Sequence, residues 1–239
     1  MKISIAVPTW ECHGKGRDFL NDLLRTIEIQ THKDFEVCIS DHSKDDWLIN
    51  EWKDFKDKID IKYSKNLEDH GNSPANTNRA ISMCSGDIIK VMFQDDFFWD
   101  DEALEKIHRE FENSDSMWLV NGCNHTNDMG HSFFWEMFPR WNENMLKGKN
   151  TISSPSVLSM RKECFDKVKF DKNLIMLMDC EYYCSLKKNF GDPIYLDDVL
   201  ITNRLHGNQI SSRYDMSKME LEVDYCIAKH SYDEHCYFL

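Results

Sequence analysis

The sequence predicts an α/β fold built on a parallel sheet, and three observations carry that reading. Short runs of β-forming residues alternate with segments of helical spacing through residues 1–100. The runs ISIAV and IIKVMF are nearly unbroken apolar stretches, as strands covered on both faces are. The first two strand runs end in polar residues, Thr9 and then Asp41, His42 and Ser43. Polar chemistry therefore collects at one edge of the sheet, the edge where open α/β sheets hold their ligands.

Residues 1–9, MKISIAVPT, form a central strand stopped by a proline. Residues 19–30 set Phe19, Leu20, Leu23, Leu24 and Ile27 at helical spacing, and residues 35–40, FEVCIS, make the second strand. Residues 45–55 read as a helix and 59–63 as a third strand. Residues 66–74 collect the types that favour irregular backbone, and 75–84 return to a helix with Asn78 and Arg79 near its middle. Ser85 and Gly86 end that helix. The stretch that follows, SGDIIKVMFQDDFFW over 85–99, is a turn, a buried strand and two adjacent carboxylates, Asp95 and Asp96.

Asp100 is a suitable N-cap for a helix over 101–113, and 117–122 form a strand. Residues 125–149 lack a period and read as a binding loop or lid. Within them Phe133, Phe134, Trp135, Phe138 and Trp141 suit either a stacking platform for a ligand or ordinary packing. A strand over 154–160, a short helix over 161–168, a helix from Asp179 to the C-cap Gly191, and a strand over 193–204 follow. An amphipathic segment at 216–229 suits packing on the main domain or a homodimer contact, because Glu220, Glu222 and Asp224 oppose an anionic membrane.

The chain has 239 residues, of which 41% are hydrophobic, enough for one compact unit. Its 42 acidic and 29 basic residues give a net charge of -13, which excludes a general nucleic-acid surface and means that an anionic ligand needs a cation. No run approaches the ~20 apolar residues of a membrane span, and no signal peptide is visible. A cytoplasmic protein, at most peripheral to a membrane, is expected. Nine cysteines without a CxxC pair point to reduced thiols, and neither Cys180 with Cys184 nor Cys123 with His125 has partners at zinc-ligand spacing.

At five places in order the residues match a known pattern: IAVPTW; Gln30 and Thr31 with DFEVCISDHSKDD; NTNRAISMCSGDIIKVMFQDD; MDCEYY; and TNRLHGNQIS. Over roughly residues 2–211 the chain resembles the inverting glycosyltransferases of family 2. The resemblance implies a GT-A (Rossmann-like) fold, a mostly parallel mixed sheet flanked by helices on both faces. It implies a nucleotide-binding half over 1–100 and an acceptor half over 101–211, with a C-terminal helical extension over 212–239. It also implies metal-assisted transfer, with Mn²⁺ or Mg²⁺, of a sugar from a nucleoside-diphosphate donor to a saccharide or other hydroxyl acceptor. A UDP-sugar is the default donor.

Carried over residue by residue, Pro8, Thr9 and Asp41 fall where the family contacts the donor's nucleoside, since a carboxylate accepts from a uracil N3–H. Read alone, Asp41 is equally a turn former. Asn78 matches a helix residue lining the same cleft, or is an ordinary exposed Asn. Asp95 and Asp96 match the family's DxD element, but its first acid is here Phe93 and the motif reads FQDD. The resemblance then rests the metal on Asp96, with Asp95 at the ribose or water; without it the pair would cap the next helix.

Asp179 matches the catalytic base, at a helix start whose dipole would keep it ionised. Glu181, two positions on and about 200° round the helix, is the rival. His206 matches a histidine that closes over the diphosphate or completes the metal site, and Arg204 and Arg213 flank it as phosphate contacts or surface charges. Two other functions compete: a nucleotide-sugar-binding protein without transferase activity, motivated by FQDD, and a nucleotidyltransferase using Gly14, Lys15, Gly16 and Arg17 as a phosphate loop.

Overall fold

Residues that are apolar on both strand faces have to be covered on both, and β1 (Ile3–Thr9) and β4 (Ile88–Val91) are buried throughout. In the computed structural model, which describes residues 1–46, 48, 52, 53, 55–127, 131–209 and 215–235, they lie side by side and parallel. On the other side of β1 come β2 (Phe35–Asp41) and β3 (Ile61–Lys65), also parallel. Beyond β4 the sheet is mixed. β8 (Leu158–Arg161) runs antiparallel to β4 and to β6 (Trp118–Thr126), β9 (Ile194–Arg204) runs parallel to β6, and β5 (Phe97–Phe98) runs antiparallel to β9. The order is β3-β2-β1-β4-β8-β6-β9-β5, with β7 (Phe133–Met137) attached to β6. The longest registers are parallel and the short ones antiparallel.

Because β8 reverses between β4 and β6, the strands β1, β2, β4, β6 and β9 all point the same way. Their carboxyl ends share one edge, and every sequence-predicted acid or imidazole at a strand end is delivered there. The sheet is flanked by α1 (Gly16–Glu28), α2 (Ser73–Ser82), α3 (Ala103–Glu112), α4 (Lys162–Lys167), α5 (Met178–Phe190) and α6 (Met216–His235). α1 buries Phe19, Leu20, Leu23, Leu24 and Ile27, the stripe its spacing predicts. No helix among the described residues is long and apolar enough to cross a membrane.

The differences from expectation are local. The helix expected over 45–55 falls partly outside the described residues. Asp100 is not the final cap of α3; it accepts the N–H of Glu102 at 3.1 Å and pairs with Lys106 at 2.8 Å, and the helix starts later. β5 and β7 were not foreseen. β7 is exposed along nearly its whole length, so it has no inside-outside alternation to read.

The opposite, amino edge is pinned by one buried acid. Glu36 has no exposed surface; its carboxylate accepts from Ser4 Oγ and Ser85 N–H, both at 2.7 Å, and pairs with Lys2 at 2.7 Å and Lys62 at 2.8 Å. Gly86 is required beside it, since a Cβ there would meet the Lys2 carbonyl at 2.7 Å. Burial alone would raise the acid's pKa, but the hydrogen bonds from Lys2, Lys62, Ser85 and Ser4 outweigh it and hold the carboxyl well below the usual range. A lowered folded pKa stabilises above the unfolded value of 4.5, and that contribution is lost as pH falls through the acid range. Glu36→Ala is expected to lower unfolding free energy by about 3 kcal/mol in urea titration at neutral pH, with the gap to wild type narrowing below pH ~4. A loss that does not change with pH would contradict the ionic role.

Candidate active site

The carboxyl edge encloses a cavity of about 360 Å³, the size of a small-molecule site. Pro8 and Trp10 enter it from the end of β1, His42 from the end of β2, and Asn76 from α2. Phe93, Gln94 and Asp95 enter from the loop after β4, Asp179 from α5, and His206 from the loop after β9.

The two acids of FQDD point in different directions. Asp95 lines the cavity, and its Oδ2 lies 3.0 Å from His206 Nε2. The Asn208 N–H donates to His206 Nδ1 at 3.3 Å, so Nε2 carries the proton and donates it to Asp95. Asp96 is 4% exposed and faces inward: Oδ1 accepts the Arg204 N–H at 3.0 Å, Oδ2 accepts Ser154 Oγ at 3.3 Å, and Ser156 adds a further bond. Beneath it Lys90, fully buried in β4, donates to the Ser156 carbonyl and lies 3.5 Å from Asn121 Oδ1. Burial pushes Lys90 down to about 7 against the pull of the Asp96 charge. Burial, and then the charge of Asp95, raise Asp96 well above the usual carboxylate range.

The sequence expectation rests a metal on Asp96. That carboxylate accepts from three protein donors and faces inward, whereas Asp95 is the acid turned toward the cavity. Arg204 is likewise spent on the scaffold: Nε holds the Asp95 carbonyl at 2.9 Å and Nη2 pairs with Asp22 at 3.0 Å. Arg213 lies outside the described residues. Gln94 locks the loop to β1, its amide bonding both the N–H and the C=O of Trp10 at 2.8 Å.

Asp179 sits in the first turn of α5 and lines the cavity. Its Oδ1 accepts the Cys180 N–H and its Oδ2 accepts Asn150 Nδ2, both at 2.7 Å. Burial pushes it up to about 6, and these donors offset only part of the shift, so desolvation outweighs the helix terminus expected to keep it fully ionised. Glu181 is not a rival. It is wholly buried on the side facing α6, accepting from Ser185 at 2.7 Å and pairing with Lys229 at 2.9 Å and His230 at 3.1 Å.

Sequence reasoning missed the residue that presents Asp179. Glu222 of α6 is 7% exposed and accepts the N–H groups of Ile175, Met176 and Leu177 at 3.0, 2.9 and 2.9 Å. Helix starts leave such groups unpartnered, and here a carboxylate from a distant helix takes them. No local signal marks it, because Glu222 is one acid among several on a polar helix.

On the nucleoside side Pro8 lines the cavity, while Thr9 and Asp41 lie one layer below it, both without exposed surface. Asp41 accepts Tyr63 Oη at 2.6 Å and the Ser43 N–H at 2.8 Å, and Thr9 Oγ1 donates to the Ser40 carbonyl at 3.3 Å. Asn78 lies away from this cavity, its amide clamping the Phe170 backbone at 2.8 and 3.0 Å. Asn76, two residues earlier, faces the cavity and bonds Ser40 Oγ at 2.7 Å and the carbonyls of Thr9 and Ser40 at 3.1 Å. The helical phase places Asn76, not Asn78, on the sheet side. His42 and His70 also line the cavity, their rings stacked at 5.8 Å. The Gly14–Arg17 turn is no phosphate cradle, since the N–H groups of Gly14, Lys15 and Gly16 already bond the carbonyls of Glu11 and Cys12.

The family model for Glycosyl transferase family 2 matches residues 4–169. The chain belongs to that family. The crystal structure of S. aureus TarS 1–349 in complex with UDP-GlcNAc superposes with a TM-score of 0.70 at 17% identity, covering 93% of this chain and 66% of that one. The mannosyltransferase PcManGT from Pyrobaculum calidifontis, in complex with GDP-Man and Mn²⁺, gives 0.63 at 13% identity over 84% of this chain and 56% of that one. These likenesses show the GT-A fold. The longer TarS structure is matched over 43% of its length, so this chain spans less than half of it. A comparison with curated protein sequences finds no match.

The different settings of the two acids lead to different losses. Asp96→Ala leaves the buried Arg204 N–H and the Ser154 and Ser156 hydroxyls without this acceptor and is expected to cost about 3 kcal/mol in urea unfolding. Asp95→Ala is expected to stay within about 0.5 kcal/mol of wild type. Equal losses would contradict the division between an inward and a cavity-facing acid.

Proposed function

We propose that this family 2 protein transfers a sugar from a nucleoside-diphosphate donor, a UDP-sugar by preference, to a hydroxyl acceptor with inversion. The observation that carries the proposal is that Asp179 and the Asp95–His206 pair line one cavity. Inversion by single displacement needs one carboxylate to take the acceptor's proton. The acceptor oxygen then bonds to the anomeric carbon as the bond to the diphosphate breaks. Asp179, with a pKa near 6, is ionised at neutral pH yet basic enough to accept that proton. Asn150 and the Cys180 N–H fix its orientation.

The donor's nucleoside fits against Pro8, Asn76, His42 and His70, with Thr9 and Asp41 fixing the strand ends beneath. Among the described residues no three His, Cys, Asp or Glu groups come together, so the protein offers a hard divalent cation only Asp95 and His206. That set suits Mn²⁺ or Mg²⁺, whose other positions go to diphosphate oxygens and water. Bound there, the ion would neutralise charge growing on the leaving diphosphate. Coordination through His206 Nε2 would require its proton to sit on Nδ1 instead, in place of the bond now accepted there from the Asn208 N–H. Two proteins of the same fold, TarS and PcManGT, are described with UDP-GlcNAc and with GDP-Man and Mn²⁺, which supports this reading.

Asp179→Asn is expected to keep UDP affinity while turnover falls by roughly 10³-fold. In wild type kcat/KM should fall as pH drops through about 6, because the base becomes protonated, and that limb should vanish in the variant. Unchanged turnover would remove the mechanism. Asp95→Ala should weaken UDP binding in calorimetry with Mn²⁺ present and leave metal-free binding unchanged. Identical titrations of the two proteins with Mn²⁺ would count against the metal role.

A further inference from the structure

β7 breaks the rule that the rest of the chain obeys. Phe133, Phe134, Trp135 and Phe138 are 48, 36, 60 and 39% exposed, and Trp99, just after β5, is 44% exposed. Apart from Tyr225 on α6, these are the only large aromatic residues exposed among the described residues. The ladder with β6 also slips here: Asn124 pairs with Glu136 but His125 with Phe134, leaving Trp135 as an extra, bulged residue. Neighbours on a regular strand point to opposite faces. The bulge instead brings the Phe134 and Trp135 rings together at 4.9 Å, with His125 4.6 Å behind Trp135. Bulges on edge strands re-aim side chains, often beside active sites.

Both ends of this ribbon are tied to the candidate site. At its start Thr126 Oγ1 donates to the Ser132 carbonyl at 2.8 Å, and Thr126 is in register with Arg204, whose N–H holds Asp96. At its end Arg140 and Thr151 exchange hydrogen bonds at 3.0 and 2.6 Å. The residue next to Thr151 is Asn150, which holds Asp179. The rings therefore keep a fixed position relative to the two acids while lying outside the cavity.

We propose that the bulged face of β7, carrying Phe134 and Trp135, forms a docking surface for the pyranose rings of a saccharide acceptor, seating sugar units remote from the hydroxyl that is attacked. This rests on the transferase reading above and adds the acceptor class to it. Pyranoses present C–H faces that lie on aromatic rings and hydroxyls that need planar polar groups at the edge. Both are here: Glu136 lies within the strand, and beyond it the Arg140–Asp197 pair is bidentate at 2.6 and 2.8 Å. A second protein copy would favour a continuous apolar face with few charges. The rings fall instead on both faces of the ribbon, with Phe133 turned the other way to meet Trp99 edge-on at 5.0 Å.

The experiment titrates wild type, Trp135→Ala and Phe133→Ala with gluco-, manno- and N-acetylglucosamine oligosaccharides of one to six units. It reads tryptophan fluorescence, acceptor KM and kcat, and UDP affinity by calorimetry. Longer oligosaccharides are expected to bind better than monosaccharides. Trp135→Ala is expected to raise acceptor KM about tenfold while kcat and UDP affinity stay unchanged, and Phe133→Ala, on the other face, is expected to leave acceptor KM as in wild type. No fluorescence change with any sugar, or an acceptor KM unaffected by Trp135→Ala, would overturn the proposal. So would a wild-type dimer that Trp135→Ala splits in light scattering with acceptor kinetics intact, since the surface would then belong to a second copy. Failure of UDP to bind wild type, with the sugar-dependent fluorescence change retained, would remove the transferase reading and leave the saccharide surface standing.

Discussion

Burying the Asp96 carboxylate is costly unless its oxygens are met, and the way they are met fixes the geometry of the cavity. The donors come from two places in the sheet: the Arg204 N–H ends β9, and Ser154 and Ser156 precede β8, with Lys90 beneath in β4 holding the Ser156 carbonyl. With Asp96 turned inward, its neighbour Asp95 is turned outward against His206, and Gln94 is drawn back to Trp10 at the end of β1. One buried acid thus sets the direction of the exposed one. The lysine in the middle of the otherwise apolar strand IIKVM, where no solvent reaches it, is met by the same Ser156 segment, whose carbonyl accepts from Lys90.

The second wall of the cavity depends on a different acid. Glu222 takes three consecutive N–H groups ahead of α5, and that grip sets where Asp179 enters the cavity. α6 is therefore part of the support of the candidate base as well as a covering helix. The family match ends at residue 169, so the roles proposed for Asp179 and His206 rest on the cavity they share with Asp95. The burial that raises Asp179 to about 6 makes it a better proton acceptor than an exposed carboxylate while leaving it charged at neutral pH.

Much of this was legible in the sequence, for physical reasons that also mark where reading stops. β1, α1, β2, α2 and β4 announce themselves because their apolar residues repeat with the period of the element, and short polar strand ends mark the ligand edge. The order of Asp95 and Asp96 was not legible, because it is decided by an N–H more than a hundred residues away on β9. The pattern NTNRA does not separate Asn76 from Asn78, because the choice depends on the phase of α2 against the sheet. β7 hid behind its bulge and its exposure, and Glu222 acts across a sequence gap that no local pattern spans.

In the proposed single displacement Asp179 delivers the incoming oxygen to the face opposite the diphosphate. Time-resolved proton NMR of the sugar released from an α-configured UDP-sugar, with acceptor or with water in its place, tests it directly. The account predicts that the first product signal is the β anomer, appearing before mutarotation. Initial release of the α anomer would contradict it.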